Sequence, residues 1–312
     1  MTALKIYHLI GADGGGTKTR VAVCPLGSDE LLFDRSYGPS NYQTAGESAV
    51  TEVFRQIAED LRRLFGTDLD RAVLAAGLAG VDRPKDAVVY RRILQNAGFS
   101  GPLAVYNDMD TALAGAHAGG DGLYLNCGTG SIAVGRVGGR TVRAGGWGAL
   151  FGDEGSGYRL GLEAVTAVFR AYDRVGPATC LTELVLDTLG LSEVPELLEL
   201  ACGAEALPVG SLASLAPLVT QNSDRDGVCR AIVDAQAELL AQLVSGVVRQ
   251  LDAGGLPLAL GGSLLIKSEP YRVAFLYALS RRIPSITVRA PLNDPIKGAL
   301  TLARRLAEEL EV

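Results

Sequence analysis

The chain has 312 residues, 48% of them hydrophobic, and a formal net charge of −6. That length allows one large or two medium domains with an ample core. The acidic balance leaves no basic footprint for nucleic acid, and no uninterrupted apolar run reaches the roughly 18 residues that span a bilayer.

The cysteines (Cys24, Cys127, Cys180, Cys202 and Cys229) are scattered, with no CxxC pair, and the histidines are His8 and His117 alone. Neither a disulfide framework nor a His/Cys zinc site is indicated. The chain reads as cytoplasmic, with neither nucleic acid nor membrane as a partner.

Three strands are expected first, at 5–12, 18–25 and 30–37. The turn between the first two is Asp13-Gly14-Gly15-Gly16-Thr17-Lys18-Thr19. A two-residue hairpin turn would need only Asp-Gly. The surplus glycines and hydroxyls offer several backbone N–H groups beside a carboxylate, which suits phosphate together with a divalent cation. A helix follows at 45–65, where Val50, Phe54, Ile57 and Leu61 recur at helical spacing. Then come a buried strand at 71–77, a helix at 84–97, a strand at 103–106 and a helix at 111–118. Asn107-Asp108-Met109-Asp110 lies between that strand and that helix; Asp110 is the better N-cap candidate and leaves Asp108 free for chemistry.

The pattern then restarts. A strand at 122–127 ends in Gly128-Thr129-Gly130-Ser131, and strands at 132–137 and 140–144 are joined by Gly138-Gly139. Two like domains are therefore expected, each presenting a Gly-Thr loop to one cleft. A glycine-rich segment, 145–158, precedes a helix at 156–171. Residues 178–253 are helix-rich, with Ser223-Asp224 capping a long helix at 224–252. A strand at 256–260 ends in Gly261-Gly262-Ser263, where glycine would let a purine or ribose approach. The tail holds a strand at 285–289 and an amphipathic helix at 296–310.

Two nucleotide signatures nearly match and fail. Gly11 to Gly16 has P-loop glycine spacing, but Thr17-Lys18 stands where Lys-Ser/Thr is required. Gly128-Thr129-Gly130 fits a loose dinucleotide fingerprint, but a strand follows it where a helix is needed. The surviving constellation is that of phosphoryl transfer. Gly14, Gly15, Gly16, Thr17, Gly128, Thr129 and Gly130 grip phosphates; Asp13 holds Mg²⁺, through water; Asp108 is the base; Gly261, Gly262 and Ser263 take the nucleoside. On an outgoing strand, Lys18 is left out of the catalytic set.

These motifs, with Ser40-Asn41-Tyr42, the Gly77–Asp82 stretch, Gly145-Gly146-Trp147-Gly148 and Gly152-Asp153-Glu154-Gly155-Ser156, resemble the N-acetylglucosamine kinase-like (BadF/BadG-type ATPase) branch of the sugar kinase/Hsp70/actin superfamily. The resemblance covers nearly the whole chain. It implies an α/β fold of two actin-like (ribonuclease H-like) domains, each a mixed sheet flanked by helices, closing around a central cleft on ATP, Mg²⁺ and a hexose. The boundaries expected are 1–116 and 117–295, with the helix at 296–312 packing back on the first domain. The resemblance further implies a homodimer, and Asn41, Asp108, Gly146, Trp147 and Asp153 as sugar contacts. Glu154 could bind sugar or cap the helix starting near Ser156.

The expected activity is ATP-dependent phosphorylation of an amino sugar, N-acetylglucosamine or glucosamine, at the 6-hydroxyl. Ile132 stands where animal N-acetylglucosamine kinases commonly carry an Asn that contacts the sugar, so glucose and N-acetylmuramic acid stay open. An ATPase activator of a 2-hydroxyacyl-CoA dehydratase is the other reading; the scattered cysteines argue against its shared iron–sulfur cluster.

Overall fold

A computed structural model describes residues 6–202 and 208–311. Residue 5 of the first expected strand, 203–207 of the helix-rich region and residue 312 lie outside the described residues. The elements up to residue 120 are β1 (His8–Gly14), β2 (Thr19–Pro25), β3 (Phe33–Tyr37), α1 (Tyr42–Ala45), α2 (Glu47–Phe65), β4 (Ala72–Leu78), α3 (Pro84–Asn96), β5 (Leu103–Asn107) and α4 (Asp108–Ala116). Then follow β6 (Gly122–Cys127), β7 (Ser131–Val137), β8 (Arg140–Gly145), α5 (Gly148–Phe151), α6 (Gly157–Tyr172), α7 (Leu181–Leu189), α8 (Glu196–Cys202), α9 (Val209–Ala213), α10 (Ala216–Asn222) and α11 (Gly227–Leu251). The chain ends with β9 (Pro257–Gly261), α12 (Ser263–Lys267), α13 (Glu269–Arg282), β10 (Thr287–Arg289) and α14 (Pro295–Glu311).

The chain divides into two compact units, one up to Gly120 together with Pro291 onward, the other Asp121–Ala290. Each holds a five-stranded mixed sheet, ordered β3-β2-β1-β4-β5 in the first and β10-β9-β6-β7-β8 in the second. In both, the opening strand pairs antiparallel with the next strand and parallel with a later one: β1 with β2 and β4, β6 with β7 and β9. The repeated strand–loop–strand–turn–strand reading is thus a repeated topology.

The pattern of burial follows from the pairing. β4 (AVLAAGL) is buried at every position, as a central strand covered on both faces must be. Its apolar run carries no period-2 alternation for that reason. One face of the first sheet packs on α2 and α3 through Ile10, Phe54, Leu61, Leu78 and Tyr90. The other face packs on α4 and α14 through Leu9, Val73, Ala114 and Ala303. In the second unit α11 is the core helix, burying Ile232, Ala237, Leu240 and Val244. It has the length and apolar composition to cross a membrane, yet half of its apolar window is buried.

Several sequence-based boundaries move. β1 and β3 start three residues later than expected, at His8 and Phe33. α4 begins at Asp108, not at 111, and Asp110 is not its N-cap. Asn107 is the cap, accepting from Met109 N at 2.9 Å, and Asp110 accepts from Asn107 N at 3.2 Å to close a capping box. The long helix is capped by Asp226, whose Oδ1 accepts from Val228 N and Cys229 N, and not by Ser223-Asp224.

α14 crosses α4 at a distance only glycine allows. A Cβ on Gly298 would lie 1.9 Å from Thr111 O, and one on Gly115 would lie 2.3 Å from Asp294 O. Gly→Ala inside a helix ordinarily stabilises by up to ~1 kcal/mol. Here overpacking, typically ~1–3 kcal/mol, opposes and outweighs that gain. Gly298→Ala is therefore expected to lower unfolding free energy in a urea titration; an unchanged or raised midpoint would mean the crossing relaxes.

Candidate functional site

In the first unit the candidate residues gather at the carboxyl ends of parallel strands, where open α/β sheets bind ligands. Asp13 is the penultimate residue of β1 and sits beside Gly77 of β4. The turn after it is closed by Gly15 N donating to Lys18 O at 3.0 Å, and Gly16, Thr17 and Lys18 are exposed. Asp108 is the first residue of α4, directly after β5. Asn107 Nδ2 donates to Val81 O at 3.0 Å, so the cap that presents Asp108 also grips the loop after β4.

Both carboxylates are half-buried and both are costly to ionise. Burial first, and Asp294 second, push Asp13 up to about 6, against the opposing pull of Arg20 and Lys18. Burial, then the neighbouring charge of Asp13, push Asp108 up to about 6, partly offset by Met109 N–H. These are the shifts expected of desolvated like charges.

Arg20 and Asp294 carried no signal in the sequence. Arg20 of β2 donates through Nε and Nη2 to Asp34 (2.8 and 2.6 Å) and through Nη1 to Asp294 (2.7 Å). Asp294 Oδ1 in turn accepts from Lys297 N in the first turn of α14. A pair 274 residues apart in sequence is invisible to any local pattern.

Asn41 caps α1, its Oδ1 accepting from Gln43 N at 3.0 Å, and Gln43 Nε2 reaches Gly80 O at 3.0 Å. Among the described residues Asn41 Nδ2 has no hydrogen-bond partner.

In the second unit, Gly128-Thr129-Gly130 links β6 to β7, with Gly128 N donating to Gly130 O. The start of α6 docks on this loop: Gly157 N donates to Gly128 O at 2.8 Å and Tyr158 N to Thr129 O at 3.1 Å. Asp153 packs on the same loop, its Oδ1 accepting from Ser131 N at 3.1 Å. Its backbone is left-handed (φ +61°), a conformation that L residues adopt at a cost. Burial raises the Asp153 carboxyl, and the Ser131 N–H opposes this.

Glu154 does not cap α6; Ser156 does, accepting from Arg159 N. Glu154 Oε2 is buried without a hydrogen-bond partner among the described residues. Ile132 lies against Gly146, where an added Cβ would come within 2.7 Å of Ile132 Cδ1. Trp147 is 65% exposed, with the Arg143 guanidinium 4.7 Å over its ring, so it is no core anchor.

A cavity of about 490 Å³ adjoins the Gly128–Thr129 loop. Its polar lining includes Ser214, Thr220, Gln221, Ser263 and Lys267. Of the three expected nucleoside residues, Ser263 lines it and Gly261 and Gly262 do not. Those glycines are demanded by the fold itself. A Cβ on Gly261 would strike the Tyr124 hydroxyl at 1.9 Å, and one on Gly262 the Cys127 backbone at 2.2 Å. The α9–α10 residues of the lining went unread because helical spacing alone does not reveal which face borders a cavity.

The raised carboxyls set a pH dependence. Asp13 and Asp108 hold protons more tightly folded than unfolded, so stability present at low pH is lost as pH rises through about 6. Asp108→Asn in the ligand-free protein should raise Tm by a few degrees near about pH 7.5 and by much less near about pH 4.5. An equal gain at both values, read by thermal melting, would contradict the assignment.

Residues 10–303 match the BadF/BadG/BcrA/BcrD ATPase family. An N-acetylmuramic acid/N-acetylglucosamine kinase of Clostridium acetobutylicum is 31% identical over 302 residues, covering 95% of this chain and 98% of that protein. An N-acetyl-D-glucosamine kinase of Dictyostelium discoideum is 30% identical over 310 residues, covering 94% and 97%. A solved structure of a candidate N-acetylglucosamine kinase from Chromobacterium violaceum superposes with a TM-score of 0.74 at 28% identity, covering 96% of this chain and 99% of that one. With two sheets of one topology and a match across nearly its whole length, the chain belongs to the BadF/BadG/BcrA/BcrD ATPase family.

Proposed function

We propose that the protein is an ATP-dependent kinase that phosphorylates an amino sugar, N-acetylglucosamine foremost, at the 6-hydroxyl. The observation that carries this reading is Asp108: a half-buried carboxylate at the start of a helix, raised to about 6 by burial and by the charge of a second acid, Asp13, near the end of a strand. A base with a pKa near working pH is the efficient one. The names of the similar proteins from Clostridium acetobutylicum and Dictyostelium discoideum support the sugar class.

In this reading the Gly14–Thr17 turn binds phosphate oxygens through the Gly16 and Thr17 amides and the Thr17 hydroxyl, the Gly15 amide being engaged by Lys18 O; in the second unit the Thr129 and Gly130 amides suit the same task, the Gly128 amide being engaged by Gly130 O. Ser263, with the cavity beside Thr129, takes the nucleoside. Asp13 fits a hard cation by its oxygen donors and by charge, since a positive neighbour would relieve the burial that raises its pKa. Mg²⁺ bound there would offset the negative charge of the phosphates. Asp108 orients the sugar hydroxyl and accepts its proton. Asn41, Gly146, Trp147 and Asp153 contact the sugar. Asp153 is held for this by Ser131 N–H, and Trp147 offers an exposed ring. Ile132, packed on Gly146, gives that neighbourhood an apolar wall. The homodimer and the cytoplasmic setting belong to the same reading.

Two measurements test it. Coupled ADP release should be stimulated by N-acetylglucosamine or glucosamine within a panel that also holds glucose, N-acetylmannosamine and N-acetylmuramic acid; silence across the panel would overturn the sugar-kinase reading. Asp108→Asn should bind ATP and sugar but lose about two to four decades of kcat, the usual range for general-base removal. In the unaltered protein kcat/KM should fall as pH drops below about 6, because only ionised Asp108 accepts a proton. A mutant turning over at near-normal rate would remove Asp108 from the chemistry.

A further inference from the structure

Tyr90 of α3 is 0% exposed, yet its side chain ends in a hydroxyl that must find partners in the core. It finds three, on two loops. The hydroxyl lies 2.7 Å from Ser40 O and 2.9 Å from Ala79 O, and it accepts from Tyr42 N at 3.1 Å. One O–H proton is thus shared between two carbonyls. Burial pushes the hydroxyl up to about 12, so it remains a donor at any working pH.

The two loops are the ones that flank the Asp13–Gly16 turn. Ser40 N donates to Gly15 O at 3.0 Å and Ala79 N to Gly14 O at 2.8 Å. Each loop is therefore tied on one side to the phosphate-binding turn and on the other to Tyr90. The approach is close enough that a Cβ on Gly14 would lie 2.1 Å from Ser40 Oγ. Asn41 stands between the two residues that Tyr90 holds, Ser40 and Tyr42.

A second tyrosine braces the same junction. The Tyr42 ring meets Tyr90 edge-on at 5.0 Å and 85°. Its hydroxyl donates to Asp86 Oδ1 at 2.6 Å, and Asp86 Oδ2 accepts from Arg83 N at 2.8 Å and Asp82 N at 3.2 Å. Burial alone would raise Asp86, but the Tyr42 hydroxyl and those N–H groups outweigh it and hold the carboxyl below its usual value. The loop after β4 continues to Val81 O, which accepts from Asn107 Nδ2 beside Asp108.

We propose that Tyr90 is a positioning residue for the sugar: its buried hydroxyl fixes Asn41 and the Ala79–Asp82 stretch against the Asp13–Gly16 turn. The proposal rests on the sugar-kinase reading of Asn41 and Asp108. Tyr90 touches no substrate; it acts through the backbone on either side of Asn41. The phosphate-binding turn keeps its own closure, Gly15 N to Lys18 O, whether or not Tyr90 is present. Loss of the hydroxyl should therefore weaken sugar binding more than ATP binding.

Tyr90→Phe keeps the ring and its packing and removes the junction. The expected result is a KM for the sugar raised roughly tenfold, with the KM for ATP changed less than about twofold, since a misplaced contact costs binding wherever it is used. In the ligand-free variant, hydrogen exchange at the amides of 40–45 and 79–82 should quicken about tenfold, while α2 keeps its protection. A sugar KM unchanged, or both KM values rising together with a general loss of protection, would overturn the proposal. If the unaltered protein turned over no sugar, the functional reading would fail by itself. Exchange in the ligand-free variant would then still decide whether Tyr90 pins the two loops, and unchanged exchange would reject it.

Discussion

Two carboxylates held near one another and away from water constrain the first unit. Asp13 is next to last in one parallel strand and Asp108 follows another; burial raises the cost of ionising both, Asp294 adds to it at Asp13, and the charge of Asp13 adds to it at Asp108. A protein gains nothing in stability from such an arrangement, since like charges in a half-buried setting disfavour the ionised state. The surroundings compensate by geometry. Arg20 stands close enough to lower Asp13 while being held by Asp34 and Asp294. A change of about 1.4 kcal/mol is tenfold in any binding or ionisation equilibrium, so modest shifts in this balance have large effects.

The same economy appears in the loops. Neither unit relies on long side chains to shape its Gly-Thr turn. Backbone hydrogen bonds do it: Gly15 to Lys18 in one, Gly128 to Gly130 and the start of α6 in the other. The N–H groups left pointing outward are those that an anion can use. Side chains then brace the backbone from behind, Tyr90 and Tyr42 in the first unit, Tyr271 and Gln236 on Gly155 in the second. Beside the second turn Asp153 takes a left-handed backbone, as Ala118, Arg174 and Asp252 do elsewhere.

Glycine carries two different meanings in this chain, and sequence does not separate them. Gly15 and Gly16 open a turn to solvent, with nothing within 4 Å of a Cβ on either, whereas Gly14 beside them admits Ser40. Gly261 and Gly262 instead admit Tyr124 and the Cys127 backbone. Gly298 admits a carbonyl of α4. In a sequence all three read as close backbone approach. Only the packing partner says whether the approach is to a ligand or to the protein.

The sequence by itself determined the repeated strand–loop–strand order, both Gly-Thr turns and the placing of Asp13 and Asp108 at the ends of elements; that Asn41 caps α1 came only from the structure. Those features are local: a period-2 or 3.6 pattern broken by glycine and a polar residue is complete within about a dozen residues. Boundaries such as the start of α4 escaped because Asn107, Asp108 and Asp110 are all good caps, and only the actual hydrogen bonds choose among them. Tertiary structure alone decided the Arg20–Asp294 pair, the Tyr90 junction, the cavity residues of α9 and α10 and the depth of burial that sets the Asp13 and Asp108 pKa values. Each of these depends on a neighbour far away in the chain, and desolvation is a property of everything that surrounds a group, which no local pattern encodes.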